Sequence, residues 1–335
     1  MRSDADLLLA QLRPLKISDR QAFDQITAAY PPYSDFDFPS LWSWNVTDQI
    51  EWGLFLDCLI VRFADYETSE PFFTFLGTAN ADRVSRELLI LSGSLGWPEE
   101  LHLVPDCCIC GMSDEEIVAT ENMDNFDYMF NTADHIKFTG NSLKKQRWKL
   151  NKFTKQWPGY RPVEIDLRVS HHRSQMLGLW NTWNDAKGYE IRNESRAFER
   201  FLASQEYFDA CATGIEVQGE LAAFDVTVIG PSGCGNSLFS KSDYKFEGIN
   251  SVLAQEVAKR LVARDCLILN FEQDLGIPGL RQSKRGFAPS DYLKKYDVRW
   301  RMDLEQSRFA ASSHCPKAAH GPGEAGRVVS EIVAL

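Results

Sequence analysis

The chain has 335 residues, of which 44% are hydrophobic and 25% charged, as in an ordinary soluble globular protein of about two domains. No stretch approaches the roughly 18 apolar residues of a membrane span, and the leucine run near the start is short and interrupted. Neither a span nor a secretory signal is expected, and the sequence predicts a cytoplasmic protein. The formal net charge of −11, taken over the whole molecule, argues against a polyanionic partner.

The first part of the chain, to about residue 136, mixes short helical and extended patterns. Apolar residues recur with the helical period in two segments and alternate in two others. An aromatic-rich segment, FPSLWSWN, lies between the first helix and the first strand. The predicted elements are helices over 18–30 and 81–97 and strands over 57–63 and 71–77.

Three cysteines crowd into the sequence DCCIC, at Cys107, Cys108 and Cys110. A metal site of Cys107, Cys110 and His102 is conceivable, but the chain has no second Cys-x-x-Cys or His-x-x-x-His pair to complete a tetrahedral set. Cysteine also behaves as a small apolar residue. The sequence therefore favours a buried strand here and predicts no metal.

A basic segment separates the two parts of the chain. Residues 137–161 contain eight lysines or arginines and no acid, which leaves a net charge of −19 for the rest of the molecule. Residues 142–157 within it have a helical pattern that ends at Pro158 and Gly159. Such a segment is a local electrostatic feature that the overall charge conceals.

The second part alternates clearly between the strand and helix periods. A hairpin is predicted to turn at Gly219. The residues from 305 onward have the Pro, Gly, Ala and Ser content of a disordered tail. The other predicted elements are strands over 162–169, 236–243, 266–273 and 292–300 and helices over 174–188, 195–209, 251–265 and 278–287.

That order of elements resembles the acyltransferase fold of the GNAT class. In that fold a glycine-rich loop before the helix that follows the fourth strand holds the pyrophosphate of coenzyme A. The corresponding stretch here, YKFEGINSVL, keeps only Gly248 and has Glu247 where an anion would lie. A carboxylate repels a diphosphate, so the fold fits this class and the coenzyme A site does not.

Four further stretches make the chain similar to one family. They are FPSLWSWN, GNSLKKQRWKLNKFTKQWPGY, FSKSDYKFEGINSVLAQEV and, most specifically, NFEQDLGIPGLRQSKRGFAP. In the same order, they resemble the soluble catalytic domain of the phosphatidylglycerol lysyltransferases, relatives of the Fem peptidyltransferases. The resemblance covers nearly everything from Leu15 to Arg301. Trp148 departs from it, because relatives often have a polar residue there.

The resemblance implies a mixed α/β (α+β) fold of two tandem GNAT-like domains. It divides the chain into a first domain over 1–136, a basic connector over 137–161, a catalytic domain over 162–304 and a tail over 305–335. It also implies transfer of an amino acid from aminoacyl-tRNA to an acceptor, with no cofactor besides that co-substrate.

The basic helix suits a tRNA acceptor arm, which is dense in phosphates and ends in a single strand. Lys144, Arg147 and Asn151 share one helical stripe, and the adjoining stripe contains Lys145, Lys149 and Lys152. A solvated face between two domains is the alternative.

The cluster at the end of the predicted strand 266–273 has two acids, Glu272 and Asp274, followed by Arg281 and Lys284. Alternation along a strand would place both acids on one face, where they could deprotonate the acceptor and hold the aminoacyl ammonium. The two bases would meet the terminal phosphates or the oxyanion. Alternatively, Asp274 caps the next helix and Glu272 pairs with Arg281 as scaffold.

Other polar residues lie where GNAT folds open to admit the donor. Ser240 and Lys241 are on the neighbouring strand end, and Tyr244, Asn250, Gln255 and Asn270 are candidates for the cleft wall. His171 and His172 are expected to be an exposed pair at a helix start. The catalytic candidates are Glu272, Asp274, Lys241 and Lys284, and the substrate- or tRNA-binding candidates are Lys144, Lys145, Arg147, Asn151, Lys152, Ser240, Asn270 and Arg281.

The predicted protein is thus an aminoacyl-tRNA-dependent aminoacyltransferase that acts by direct attack on the tRNA ester. Its acceptor stays open between a small amine or hydroxyl compound, a peptide terminus and a lipid head group, and its oligomeric state is not predicted. An acyl-CoA-dependent N-acyltransferase and a non-catalytic double-GNAT binding protein are the alternatives.

Overall fold

A computed structural model describes residues 4–65, 68, 70–187 and 193–301. The predicted tail over 305–335 lies outside these residues. The fold is mixed α+β, as the sequence predicted. Within the described part of the chain, no helix combines the length and the apolar character needed to cross a bilayer.

Strands and helices alternate along most of the chain. The strands are β1 (Arg13–Pro14), β2 (Glu51–Phe55), β3 (Cys58–Ala64), β4 (Pro71–Leu76), β5 (Glu100–Pro105), β6 (Ile117–Glu121), β7 (Asp127–Asn131), β8 (Arg161–Glu164), β9 (Ala210–Val217), β10 (Glu220–Ile229), β11 (Gly235–Ser242), β12 (Ile268–Asn270), β13 (Asp291–Leu293) and β14 (Lys295–Trp300). The helices are α1 (Asp4–Leu9), α2 (Arg20–Thr27), α3 (Phe38–Trp44), α4 (Ala81–Ser94), α5 (Asp106–Ile109), α6 (Thr132–Lys137), α7 (Lys144–Gln156), α8 (Ser170–Lys187), α9 (Glu194–Ala203), α10 (Ile249–Val262) and α11 (Pro278–Gly286).

Three sheets organise these elements. A four-stranded sheet has the order β1-β2-β3-β4, and a three-stranded sheet has the order β5-β14-β6. The large sheet has seven strands in the order β13-β7-β12-β11-β10-β9-β8. The first and second parts of the chain exchange strands between these sheets. Strand β7, from the first part, lies between β12 and β13, and β14, from the end of the chain, lies between β5 and β6.

The large sheet is covered by helices on both faces. Because successive strand residues point to opposite faces, Phe224 of β10 packs with Trp180 of α8, whereas Ala223 belongs to the apolar cluster of α10 and α7. On the α8 face, the rings of Trp180 and Phe198 stack at 4.7 Å. Each such buried aromatic contributes about 1.5–3 kcal/mol through removal of apolar surface from water, so the sheet is anchored from both sides.

The parallel strands β11 and β12 pair over only two residues, Gly235 with Leu269 and Asn236 with Asn270. Strand β11 then continues to Ser242, whereas β12 ends. The predicted strand over 266–273 was therefore too long. Its end is broken by the left-handed backbone of Glu272, with φ of 55°, which lies outside the extended region of regular strand residues. The two strands separate beyond this point and leave an opening in the sheet.

Two other predicted strands are also different in the structure. The segment over 292–300 is split into β13 and β14, which lie in different sheets. The DCCIC segment forms the short helix α5, although Cys108 is fully buried and has the small apolar role expected of it. The hairpin at Gly219 is confirmed, since Gln218 and Gly219 have φ of 56° and 88°, the left-handed pair that a tight two-residue turn requires.

Candidate functional site

A cavity of about 240 Å³ lies in the opening between β11 and β12. Its wall includes Trp183 and Glu194, from the α8 and α9 side of the sheet, and Asn250 and Leu253, from α10 on the other side. The cavity therefore reaches both faces of the large sheet. The separation of two parallel strands creates this space, and sheet topology favours ligand sites at such positions.

Glu272 lies on the wall of the cavity, directly after β12. Its main-chain N–H donates to Asn270 Oδ1 at 2.7 Å, and its carboxylate accepts a long hydrogen bond from Ser40 Oγ at 3.4 Å. Burial raises the pKa of Glu272 to about 8, against the opposing effect of the Lys284 cation. A carboxyl group poised in this range can exchange a proton near neutral pH.

Lys284 of α11 lies on the same wall. Its ammonium group donates to the main-chain carbonyls of Phe271 and Gln273, the latter at 2.7 Å. Burial lowers the pKa of Lys284, and the neighbouring Glu272 carboxylate partly offsets this effect. The structure brings these two predicted catalytic residues together without locking them in a direct ion pair.

Asp274 and Arg281 are in a different environment. Asp274 is fully buried and accepts hydrogen bonds from Tyr128 Oη at 2.5 Å and from Arg281 Nε at 2.8 Å. Burial acts to raise the pKa of Asp274, but the hydrogen bonds from Arg281 and Tyr128 hold it below its ordinary value. Arg281 also pairs with Asp124. Neither residue lines the cavity.

One prediction about this cluster was wrong, and so were both parts of the alternative interpretation. Glu272 and Asp274 do not share a strand face, because the strand ends at Asn270 and the backbone turns at Glu272. Arg281 pairs with Asp274 rather than with Glu272. Asp274 does not cap α11 through its side chain; its carboxylate instead accepts from the N–H of Gly276, at 2.9 Å, in the turn before the helix.

Lys241 and Ser240 both line the cavity. Lys241 is buried, with its ammonium group 2.8 Å from Glu194 Oε1 and 4.0 Å from the ring centroid of Trp183. Ser240 Oγ donates to the carbonyl of Phe224 at 3.4 Å. Sequence reasoning missed Glu194, since an acid in the first turn of a helix is commonplace and nothing near it indicates a buried partner.

Asp225 also lines the cavity and was missed. It lies within the apolar strand β10, where it is 1% exposed. Thr227 Oγ1 and Ser237 Oγ each donate to its carboxylate at 2.6 Å. Burial raises the pKa of Asp225 to about 6, although these hydroxyls lower it. An acid inside the apolar run AAFDVTVI was a usable signal, because strand cores rarely hold an unpaired charge.

A buried polar network supports the turn that contains Glu272. Lys295 of β14 is fully buried and donates to Asp127 Oδ1 and to Gln273 Oε1, both at 2.7 Å, and it also pairs with Asp35. Asn270 is buried too and donates to the carbonyl of Pro32 at 2.8 Å. Asn270 does not line the large cavity. Its contact with Glu272 N–H gives it a positioning role.

The polar side chains of the basic helix form two groups, one exposed to solvent and one bonded to neighbouring protein groups. Lys144, Lys145 and Asn151 are exposed. Arg147 donates to the carbonyls of Phe138 and Gly140, and Lys152 pairs with Glu247 at 2.5 Å. Trp148 is 56% exposed, and its ring lies beside the Lys152 ammonium group.

Helix α7 also covers the start of α10. Gly248 precedes α10 with φ of 90°, and a Cβ atom there would lie 2.6 Å from the carbonyl oxygen of Lys149. This glycine therefore permits the close approach of α7. The carbonyl of Lys149 thus lies directly against the start of α10.

The remaining candidates are placed as follows. Tyr244 and Asn250 line the cavity, whereas Gln255 donates to the carbonyl of Ile136 at 2.6 Å. His172 Nδ1 contacts the main chain of Asp166, close to the start of α8. His102 Nδ1 lies 2.8 Å from Asp297, and among the described residues it does not converge with Cys107 and Cys110.

Comparison with known proteins gives consistent relatives. The family model described as phosphatidylglycerol lysyltransferase, C-terminal, matches residues 110–299. A conserved protein of unknown function from Bacteroides thetaiotaomicron VPI-5482 is 20% identical and superposes with a TM-score of 0.75, over 87% of this chain and 99% of that one. The comparison with curated protein sequences found no match.

Two further solved structures have the same fold at lower identity. L-PGS from Bacillus licheniformis is 13% identical, with a TM-score of 0.56 over 88% of this chain and 96% of that one. FemX is 9% identical, with a TM-score of 0.53 over 91% of this chain and 100% of that one. These structures are similar to this chain in fold. Their names, L-PGS and FemX, correspond to the two families that the sequence motifs indicated.

Proposed function

The chain belongs to the phosphatidylglycerol lysyltransferase C-terminal family, and from this premise we propose that it is an aminoacyltransferase. It moves an amino acid from aminoacyl-tRNA to the amine or hydroxyl group of a second molecule. The observation that carries the proposal is the cavity through the large sheet, with Glu272 and Lys284 together on its wall. Such a cavity can receive two substrates from opposite faces.

The proposed reaction needs no covalent intermediate on the enzyme, since the tRNA ester is already activated. The acceptor nitrogen or oxygen attacks the ester carbonyl, and its proton passes to the Glu272 carboxylate. The Lys284 ammonium group stabilises the negative charge that develops on the carbonyl oxygen. Collapse of the tetrahedral species breaks the bond to the ribose oxygen, which takes the proton back from Glu272.

The arrangement of the helices supports a side for each substrate. Helix α7 is attached to the α10 side of the sheet, because Gln146 Oε1 accepts from Ser251 Oγ at 2.7 Å and Gln146 Nε2 donates to the carbonyl of Gly286 at 2.9 Å. We assign the tRNA to this side, where Lys144 and Lys145 are exposed. The acceptor then approaches from the side of α8 and α9, where Lys241 and Glu194 lie.

For the architecture, we propose two GNAT-like units that exchange strands, with the reaction in the second. The separation of β11 from β12 corresponds to the opening at which GNAT folds admit their donor. The predicted boundaries near residues 136 and 161 stay a prediction.

Two alternatives have less support. An acyl-CoA donor would need its pyrophosphate at the start of α10, where α7 approaches Gly248 closely. A non-catalytic binding protein would be favoured by a closed cleft or by a direct Glu272–Lys284 ion pair, and the cavity has neither feature.

The decisive experiment incubates the protein with a pool of charged tRNAs and a panel of amines, hydroxyl compounds, peptides and lipid head groups. We expect one charged species to be consumed only when its acceptor is present. Glu272→Gln serves as the inactive control. A micromolar calorimetric isotherm for acetyl-CoA, with every charged tRNA left intact, would reassign the protein to the acyl-CoA-dependent class.

A further inference from the structure

Asp225 is a buried acid for which the scheme above has no use. It lies two residues after Ala223, which packs in the apolar cluster of α10, and therefore faces the α10 side of the sheet. Ser240 lies opposite Asp225 in the pairing of β10 with β11 and faces the same side. Its two carboxylate oxygens accept from Thr227 and Ser237, one hydroxyl each. A carboxylate can accept about four hydrogen bonds, and these hydroxyls fix its orientation and leave capacity for a ligand.

No cation in the described part of the chain forms an ion pair with Asp225. Lys241 is the cation nearest to Asp225 in the pairing of β10 with β11, but it lies opposite Phe224. It therefore projects from the other face of the sheet, where it pairs with Glu194. Burial of a charge without a partner is costly. The groups that lower the pKa of Asp225 are hydroxyls, which stabilise the carboxylate without neutralising it.

We propose that Asp225 is the anchor for the α-ammonium group of the aminoacyl moiety. The assignment rests on the proposed function, because every aminoacyl-tRNA presents this cation beside its ester. Asp225 faces the α10 side, the side to which the tRNA was assigned. The substrate ammonium group thus supplies the missing counter-charge, and it leaves Glu272 free to exchange the acceptor's proton.

The two carboxylates then have separate tasks. The pKa of Asp225, at about 6, keeps it ionised at neutral pH and suited to bind a cation. The pKa of Glu272, at about 8, suits proton exchange. Environments that separate the pKa values of two acids commonly separate their roles.

The test measures small probes that need neither tRNA nor an acceptor. Amino acid amides (those of alanine, leucine, phenylalanine and lysine) are each compared with the des-amino counterpart that lacks only the α-ammonium group. Ligand-observed NMR at pH 7 gives the affinity ratio for the wild type, for Asp225→Asn and for two control variants. Asp37→Asn removes another buried carboxyl whose pKa is raised to about 6 but which lies outside this cavity. Glu272→Gln removes the acid of the cavity wall to which the proton exchange was assigned.

We expect the wild type to prefer at least one amide over its counterpart by about 10- to 100-fold, as for a hydrogen bond to a charged group. Asp225→Asn should abolish that preference while des-amino binding and the folded state persist, and both controls should keep it. A wild type without preference, or an Asp225→Asn variant that retains it, overturns the assignment. Loss of preference in Glu272→Gln alone would transfer the anchor to Glu272. If the preference holds while no charged tRNA is consumed, the ammonium site stands and the transferase function falls.

Discussion

At the scale of single residues, Glu272 and Asp274 differ in use although they are two positions apart. Asp274 is enclosed by Arg281 and Tyr128, which satisfy its charge. Within the described part of the chain, the Glu272 carboxylate accepts only the long hydrogen bond from Ser40 Oγ, and it faces the cavity. A satisfied buried ion is a structural element, whereas a carboxyl group with a raised pKa beside a cavity is available for chemistry.

Glu272→Gln should reduce turnover by about 10²–10⁴, the range for removal of a general base. Because the folded-state pKa of Glu272 is raised to about 8, its stabilising contribution is complete below its ordinary pKa and is lost as pH rises through 8. The variant should therefore gain melting temperature over the wild type at pH 9 and little at pH 4. A large loss of stability with normal turnover of the folded fraction would contradict the catalytic assignment.

Lys284→Met should displace the acidic limb of the kcat/KM profile. In the wild type, this limb follows the ionisation of Glu272 and lies near pH 8. Removal of the Lys284 cation, which lowers the pKa of Glu272, should move the limb to higher pH and reduce turnover by about 10²–10³ through the loss of oxyanion stabilisation. Lys294→Met, which removes a lysine paired with Glu121, is the control and should leave the limb in place. If the limb stays at the same pH or moves to lower pH in Lys284→Met, the Lys284 cation does not control the ionisation of Glu272.

At the scale of elements, α7 combines two kinds of basic residue. Arg147 and Lys152 are committed to neighbouring protein groups, whereas Lys144, Lys145 and Lys155 are exposed. Only the exposed set is free to release counterions from a nucleic acid. The helix is therefore both a connector and a candidate tRNA surface, with different residues for each role.

Replacement of Lys144, Lys145 and Lys155 by alanine should weaken tRNA binding and reduce the log–log salt slope by about 0.7–0.9 for each phosphate that the variant no longer neutralises. Folding stability should hardly change, because exposed charges contribute little. The matched control is the triple alanine variant of Lys16, Arg83 and Arg299, exposed cations elsewhere in the chain. Equal affinity and slope in both triple variants would leave α7 as a connector only.

At the scale of the whole molecule, the exchange of β7 and β14 joins the two parts of the chain. Lys295 at the start of β14 bonds to Asp127 of β7 and to Gln273 next to Glu272. The supports of the turn that contains Glu272 thus come from distant segments. The seven-stranded and the three-stranded sheet each contain one strand from the other part of the chain, whereas the four-stranded sheet lies wholly within the first part.

Fragments 1–136 and 162–301 should not fold when produced separately, and the full chain should unfold in one transition. Each fragment lacks a strand that lies between two others, which exposes unpaired backbone edges and removes buried apolar surface. Circular dichroism with urea titration measures this, and co-expression of 1–141 with 142–301 is the control that restores both strands. A cooperative transition in either isolated fragment would support the independent domains that the sequence predicted.

The sequence by itself determined the features that depend on local order. Helical and alternating periods located α4, α7, α10 and the hairpin at Gly219, and the NFEQDLGIPGLRQSKRGF motif made Glu272 and Lys284 candidates that the structure places on one cavity wall. These features depend on neighbours a few residues away, and a linear pattern records them.

The tertiary structure alone decided how the site is assembled. Asp225 and Glu194 acquired their positions on the cavity wall from strand register and from a packed helix. Strand β12 ended early because the backbone turns to the left-handed conformation at Glu272, next to the contact of Gln273 with Lys295. Arg281 took Asp274 as its partner although Glu272 is only two positions further away in sequence. Ion pairing and burial depend on distance in space, and segments separated by more than a hundred residues meet here only after the sheets have formed.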